Sequence, residues 1–156
     1  MKTELPTGRV RYAESKVAFF ESETEQWLKD HREAQACQES ELLVRDLNVL
    51  LADMLQLDRE VHTSYCEGMP YNEQLSKRIE QLFHRWCRVA MNVEVGASAF
   101  ELKGYSVEGI VELRRGIKEV SAMIEPSDEV DGWMAKLRDD AIESHAKGTT
   151  IEGLVD

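Results

Sequence analysis

Residues 72–104 have the sequence NEQLSKRIEQLFHRWCRVAMNVEVGASAFELKG. Apolar residues recur through this stretch at steps of three or four, which is the spacing of one face of an α-helix. This apolar line consists of Leu75, Ile79, Leu82, Trp86, Val89, Val93, Ala97 and Phe100. Asn72 is a favourable residue for capping the start of a helix, and Gly104 can end one in a left-handed conformation. The stretch therefore predicts one long helix over about 72–103.

The preceding segment has the same periodicity. None of the members of its apolar line is charged: Leu43, Leu47, Leu50, Met54, Leu57, Val61 and Tyr65. A second apolar stripe lies beside this line and consists of Val44, Leu51 and Leu55. The pattern predicts a helix over about 40–66 with a broad buried face. Gly68 and Pro70 interrupt it in a short connection, so we expect the two long helices to pack antiparallel as a helical hairpin.

Shorter helices are predicted around this hairpin, over about 13–34, 106–124 and 128–147. The first of them begins an apolar line at Ala13. We find no segment in which apolar and polar residues alternate as they do in a half-buried strand. The sequence therefore predicts an all-α bundle of about five helices, in which residues 1–148 form one domain and residues 149–156 a mobile tail. The length of the hairpin leaves both a monomer and a homo-oligomer open.

The predicted fourth helix contains two glycines. Ser106 is its expected cap, and its expected apolar face consists of Val107, Ile110, Val111, Ile117, Val120 and Ile124. Gly109 and Gly116 lie inside this helix, seven residues apart, and therefore on nearly the same side. We expect a neighbouring helix to pack closely there.

The composition is strongly acidic. The chain has 156 residues, with 19 Lys and Arg against 30 Asp and Glu, and a net charge of −11. Apolar residues make up 42%, which is enough for a folded core. Because phosphate backbones repel such a surface, we exclude direct binding of nucleic acid and expect a protein partner, which could be basic.

The acidic residues give candidates for this partner surface. Residues 21–60 carry four basic and eleven acidic groups, a net charge of −7. Glu21 and Glu25 could form an outward carboxylate stripe on the first helix, and Asp139 and Asp140 lie near the far end of the chain. We predict these four residues as partner-binding positions.

The start of the chain and the cysteines indicate a cytoplasmic protein. The segment MKTELPTGRVRY lacks the apolar stretch of a secretory signal, and no run approaches the about 18 apolar residues that span a bilayer. Cys37, Cys66 and Cys87 are widely spaced and odd in number, which is not typical of a disulfide framework and fits a reducing compartment.

Two histidines and two cysteines of the hairpin form a possible zinc set, namely His62, Cys66, His84 and Cys87. In an antiparallel hairpin that turns near residue 69, the two pairs are separated by roughly 10–20 Å, whereas zinc ligands must meet at one ion. Cys87 belongs with Phe83 and Ala90 to an apolar stripe, and His84 is expected on the solvent face. We therefore predict no metal and no cofactor, and a buried, unreactive Cys87.

Basic residues group on two helices. Arg78, Arg85 and Arg88 lie on an expected outer face of the third helix, and Arg114 and Arg115 lie on the fourth. Such charges usually form solvated faces and ion pairs. They could also bind an acidic segment or a small anion, and we retain them as anion-binding candidates.

Together these features favour a non-enzymatic acidic module that acts through protein contacts as an adaptor, a regulator or an inhibitor. One form of this hypothesis is nucleic-acid mimicry, or antitoxin-like neutralisation of a basic protein. The alternative is a small-ligand-binding or enzymatic bundle with a pocket between helices, near Trp86, His84, Arg114 or Tyr105.

Overall fold

The computed structural model describes residues 4–31, 40–124 and 128–147. Within these ranges the chain forms five α-helices and no strand. The helices are α1 (Glu4–His31), α2 (Ser40–Cys66), α3 (Glu73–Leu102), α4 (Ile110–Ile124) and α5 (Val130–Ala146). The predicted all-α bundle is confirmed. The tail predicted at 149–156 lies outside the described residues.

The hairpin of α2 and α3 begins and ends where the sequence indicates. Gly68 adopts a positive φ of 105° in the connection, a conformation that side chains disfavour. The Asn72 side chain caps α3 by accepting a hydrogen bond from the Leu75 backbone N–H at 3.0 Å. Gly104, at φ 95°, follows the end of α3. None of the helices formed by the described residues is both long enough and apolar enough to cross a membrane.

Ion pairs and ring contacts show how the other helices run along this hairpin. Lys16 and His31 of α1 lie 3.9 Å from Glu60 and 3.3 Å from Asp46 of α2, so α1 and α2 are antiparallel. After the loop that follows α3, α4 returns along both α2 and α3. The His84 ring of α3 contacts Trp133 of α5. The helices therefore alternate in direction, and α3 contacts each of the other four.

The core lies around α3. The line predicted on this helix is buried from Leu75 to Ala97, and Phe100 is partly buried. The α2 line is likewise buried from Leu43 to Val61. Trp86 is 2% exposed and its indole N–H donates a hydrogen bond to the Leu47 carbonyl at 3.2 Å, so the ring ties the two long helices together.

The predicted start of α1 at residue 13 is wrong, because the helix already begins at Glu4. Pro6 lies in the first turn, where a helix tolerates proline since the backbone N–H groups there lack partners within the helix. Val10 packs against the core three residues before Ala13 and extends the apolar line. The end predicted at residue 34 lies outside the described residues.

The predicted start of α4 is also wrong. Gly109 does not lie inside the helix but precedes it at φ 84°, and the helix begins at Ile110. The Gly109 carbonyl accepts a hydrogen bond from Asn48 Nδ2 at 3.0 Å, which anchors the loop to α2. Leu113 of α4 is buried, whereas Val111, which the sequence assigned to the apolar face, is 62% exposed.

The close approach predicted at Gly116 is confirmed. A Cβ atom at this position would lie 2.3 Å from a Leu51 methyl of α2 and 3.3 Å from the Trp86 ring of α3. Both distances are shorter than ordinary van der Waals contact. Gly116 therefore allows α4 to pack against both helices of the hairpin.

The expectation that His84 faces solvent is confirmed only in part, because its side chain is 39% exposed but also contacts α5. Its side chain is half-buried, and its ring meets that of Trp133 edge-on, with centroids 5.5 Å apart. The helical period of α3 does not reveal this, because α5 covers a second face of α3 that the main apolar line does not mark.

Candidate functional site

The acidic residues predicted on α1 contact the basic residues predicted on α3. Arg78 Nε donates a hydrogen bond to Glu21 Oε2 at 3.1 Å, and Arg85 pairs with Glu25. The hydrogen bond from Arg78 lowers the pKa of Glu21. These four side chains therefore join α1 to α3, and their charges are largely neutralised within the chain.

The remaining candidates on the surface lie apart from each other. Asp139 and Asp140 are exposed on α5, and Arg88 and Arg115 are exposed on α3 and α4. No ion pair joins these four side chains to another described residue. Their roles as partner-binding and anion-binding residues stay predictions.

Arg114 belongs to a cluster around a buried carboxylate that we did not predict from the sequence. Glu94 of α3 is 2% exposed. Its Oε1 accepts hydrogen bonds from Ser98 Oγ at 2.8 Å and from Arg114 Nε at 3.1 Å. Arg138 Nη2 also donates a hydrogen bond to Oε1 at 3.4 Å, and Arg138 Nη1 lies 3.1 Å from Oε2 in an ion pair. Glu101 pairs with the same Arg114 at 3.0 Å, so the cluster fastens α4 and α5 to α3.

The residues suggested for a pocket between helices do not come together. Trp86 is buried in the core and His84 contacts α5, whereas Arg114 is engaged by Glu94. Tyr105 lies in the loop after α3 and stacks on Phe100, with centroids 4.5 Å apart.

Cys87 is buried as predicted. Burial raises the pKa of its thiol to about 12, and the Ser121 hydroxyl lies 3.9 Å from its sulfur. Such a thiol is protonated at neutral pH and is a poor nucleophile. Cys66 is exposed. Over residues 4–31, 40–124 and 128–147, no three His, Cys, Asp or Glu side chains lie close enough together to hold a metal ion.

A groove of about 1100 Å³ lies beside the first half of α2. We call it the α2–α4 groove. Its lining consists of Ser40, Glu41, Leu42, Arg45, Asn48, Val49, Ala52, Phe100, Ser106, Glu108, Gly109 and Glu112. The hydrogen bond between Asn48 and Gly109 holds the loop before α4 against α2 and so shapes one wall. The groove therefore depends on where α4 begins.

The groove combines exposed apolar side chains with unpaired carboxylates. Val49 is 60% exposed and Leu42 is exposed beside it. Glu108 and Glu112 of the groove make no ion pair with another described residue. Arg45, the one cation among the described lining residues, lies 3.3 Å from Asp46, which compensates its charge. The groove can therefore accept apolar and basic groups together.

Comparison of the chain with models of known protein families, with curated protein sequences and with solved structures finds no match.

Proposed function

We propose that this protein is a non-enzymatic cytoplasmic interaction module that binds a basic segment of a protein partner in the α2–α4 groove. The observation that carries the proposal is the joint presence of exposed Leu42 and Val49 with three carboxylates, those of Glu41, Glu108 and Glu112. An amphipathic helix with Lys or Arg beside its apolar face fits this chemistry, because such helices dock their apolar side in a groove.

The ion pairs between α1 and α3 favour this groove over the outer face of α1 as the working surface. Glu21 and Glu25 already contact arginines of the same chain, so a partner would have to displace those arginines. The carboxylates of the groove require no such exchange. The apolar side chains among them support segment binding over nucleic-acid mimicry, which needs a continuous run of carboxylates. The unpaired Cys66 and Cys87 support a reducing compartment.

Two exposed valines offer a matched test. Val49 lies in the groove and Val111 lies outside it, and their exposures are 60% and 62%. The wild type, Val49→Asp and Val111→Asp are immobilised, and the proteins retained from the native host are quantified. We expect a partner that the wild type and Val111→Asp retain and that Val49→Asp loses. Equal retention of every protein by all three forms would refute the proposal for the groove.

A further inference from the structure

A second cavity lies at the opposite end of the pairing between α2 and α4. It occupies about 370 Å³ between the last turns of α2, the first turns of α3 and the end of α4. We call it the Asp58 cleft, after the carboxylate that lines it. Its volume lies at the lower end of the range of about 300–1,000 Å³ that small-molecule sites occupy. It shares no lining residue with the α2–α4 groove.

The Asp58 carboxylate is half-buried. Within the part of the chain that the structure describes, it makes no hydrogen bond and no ion pair. Burial raises its pKa, and the charges of His62 and Arg59 oppose that rise only in part. A carboxylate that loses water without gaining a partner destabilises the fold. Its position in a cleft therefore calls for an explanation other than stability.

The other groups of the cleft define what could pair with Asp58. Glu80, which lies 3.7 Å from His84 Nε2, contributes a second carboxylate, and among the described lining residues His62 is basic while neither Lys nor Arg occurs. The Tyr65 hydroxyl lies 3.4 Å from Ser76 Oγ, which places two further hydrogen-bonding groups at the wall. The two carboxylates therefore suit the cleft to a cation.

Apolar side chains of all three helices complete the walls. Ile79 and Phe83 come from α3 and Met123 comes from α4. Phe83 is buried, whereas Met123 is exposed at the mouth. An ion with a full hydration shell would gain nothing from such walls, but an organic body would bury apolar surface against them.

We propose that the Asp58 cleft binds a small organic cation, namely a protonated amine with an apolar body. The ammonium group pairs with the Asp58 carboxylate, and the apolar body lies between Ile79, Phe83 and Met123. A metal ion is not favoured, since the described residues provide no set of three ligands there. This inference is independent of the function proposed for the α2–α4 groove, because the two surfaces are separate.

Benzylamine and benzyl alcohol are a suitable pair of probes, because they differ in the charged group and share the ring. Each is titrated into the full-length protein labelled at the methionine methyl groups. We expect benzylamine to shift the Met123 signal and to leave that of Met91, buried in the core, unchanged. Benzyl alcohol is expected to bind about tenfold to a hundredfold more weakly, the difference made by one hydrogen bond to a charged group.

Asp58→Asn and Asp53→Asn are the matched variants, since both change an aspartate of α2 and only Asp58 lines the cleft. We expect Asp58→Asn to weaken benzylamine binding by about tenfold to a hundredfold, as for benzyl alcohol, and Asp53→Asn to leave benzylamine binding unchanged. Absence of benzylamine binding to the wild type would overturn the proposal. Equal losses in the two variants would also overturn it, because they would reveal general attraction by an acidic protein.

Discussion

Replacing Glu94 by glutamine should destabilise the protein far more than the same change at Glu101. Both residues lie on α3 and both contact Arg114, but Glu94 is 2% exposed and Glu101 is 34% exposed. In Glu94→Gln the side chain keeps its shape, and an amide N–H₂ replaces one carboxylate oxygen. This new donor then faces Arg114 or Arg138, which are themselves donors.

The size of the effect follows from the surroundings of the carboxylate. Hydrogen bonds to charged groups contribute about 1.5–3 kcal/mol each, and breaking a fully buried ion pair costs about 3–5 kcal/mol. The side chains of Arg114 and Arg138 are 43% and 50% exposed, so water can solvate them once the charge of Glu94 is gone. We therefore expect a loss of about 2–3 kcal/mol for Glu94→Gln, below the fully buried case.

Glu101→Gln is the control, because Glu101 is more exposed than Glu94 and contacts the same arginine. A pair at the surface typically contributes about 0.2–1 kcal/mol, and we expect Glu101→Gln to lose no more than that. Urea denaturation followed by circular dichroism gives the free energy of unfolding of both variants. If Glu94→Gln cost no more than Glu101→Gln, the inference that Glu94 fastens α4 and α5 to α3 would be refuted.

The remaining predictions concern packing, pH and thiol chemistry. Gly116→Ala should lower the free energy of unfolding by up to about 2 kcal/mol, because overpacking outweighs the better helix propensity of alanine. Gly132→Ala lies in α5 with open space around it and should raise the free energy of unfolding by up to about 1 kcal/mol. Equal gains in both would contradict the close packing of α4. Burial raises the pKa of Asp58, so the folded state binds a proton on this carboxyl more tightly than the unfolded state does, and wild-type stability falls as the pH rises above the ordinary pKa of 3.8. Asp58→Asn should therefore be more stable than the wild type at neutral pH. Denaturation at several pH values should show this gain disappearing below pH 3.8. Iodoacetamide should label Cys66 in the native protein and Cys87 only in denaturant, because the Cys87 thiol is buried with a pKa of about 12. Peptide mass spectrometry identifies the labelled cysteine. Labelling of Cys87 in the native protein would show that its thiol is accessible.

The hairpin could be predicted because its signals are local. The apolar lines of α2 and α3 each run along one helix, and Asn72 and Gly104 mark boundaries by their own backbone preferences. The start of α4 could not be predicted in this way. It depends on the hydrogen bond from Asn48 to Gly109, two residues far apart in sequence, and the α2–α4 groove depends on that loop in turn.

The two buried or half-buried acids were missed although the sequence contains a signal for each. The second apolar stripe of α2 continues at helical spacing from Leu55 to Asp58. The stripe of α3 continues in the same way from Ala90 to Glu94. A charged residue that continues an apolar stripe is therefore a candidate for a buried charge, but the partners of Glu94 come from α4 and α5 and only the fold reveals them.

The most direct test of the proposed function is a titration of the isotopically labelled protein with a synthetic amphipathic helix of leucine and lysine. We predict backbone NMR shifts confined to residues that line the α2–α4 groove. It also predicts that Glu112→Lys weakens binding while Glu119→Lys, on the same helix but outside the groove, does not. Melting curves of both variants serve as the control, because Glu112 also lies in the first turn of α4, where a carboxylate is favourable. Shifts spread over the whole surface, with equal weakening by both variants, would contradict the assignment of the groove as the binding site.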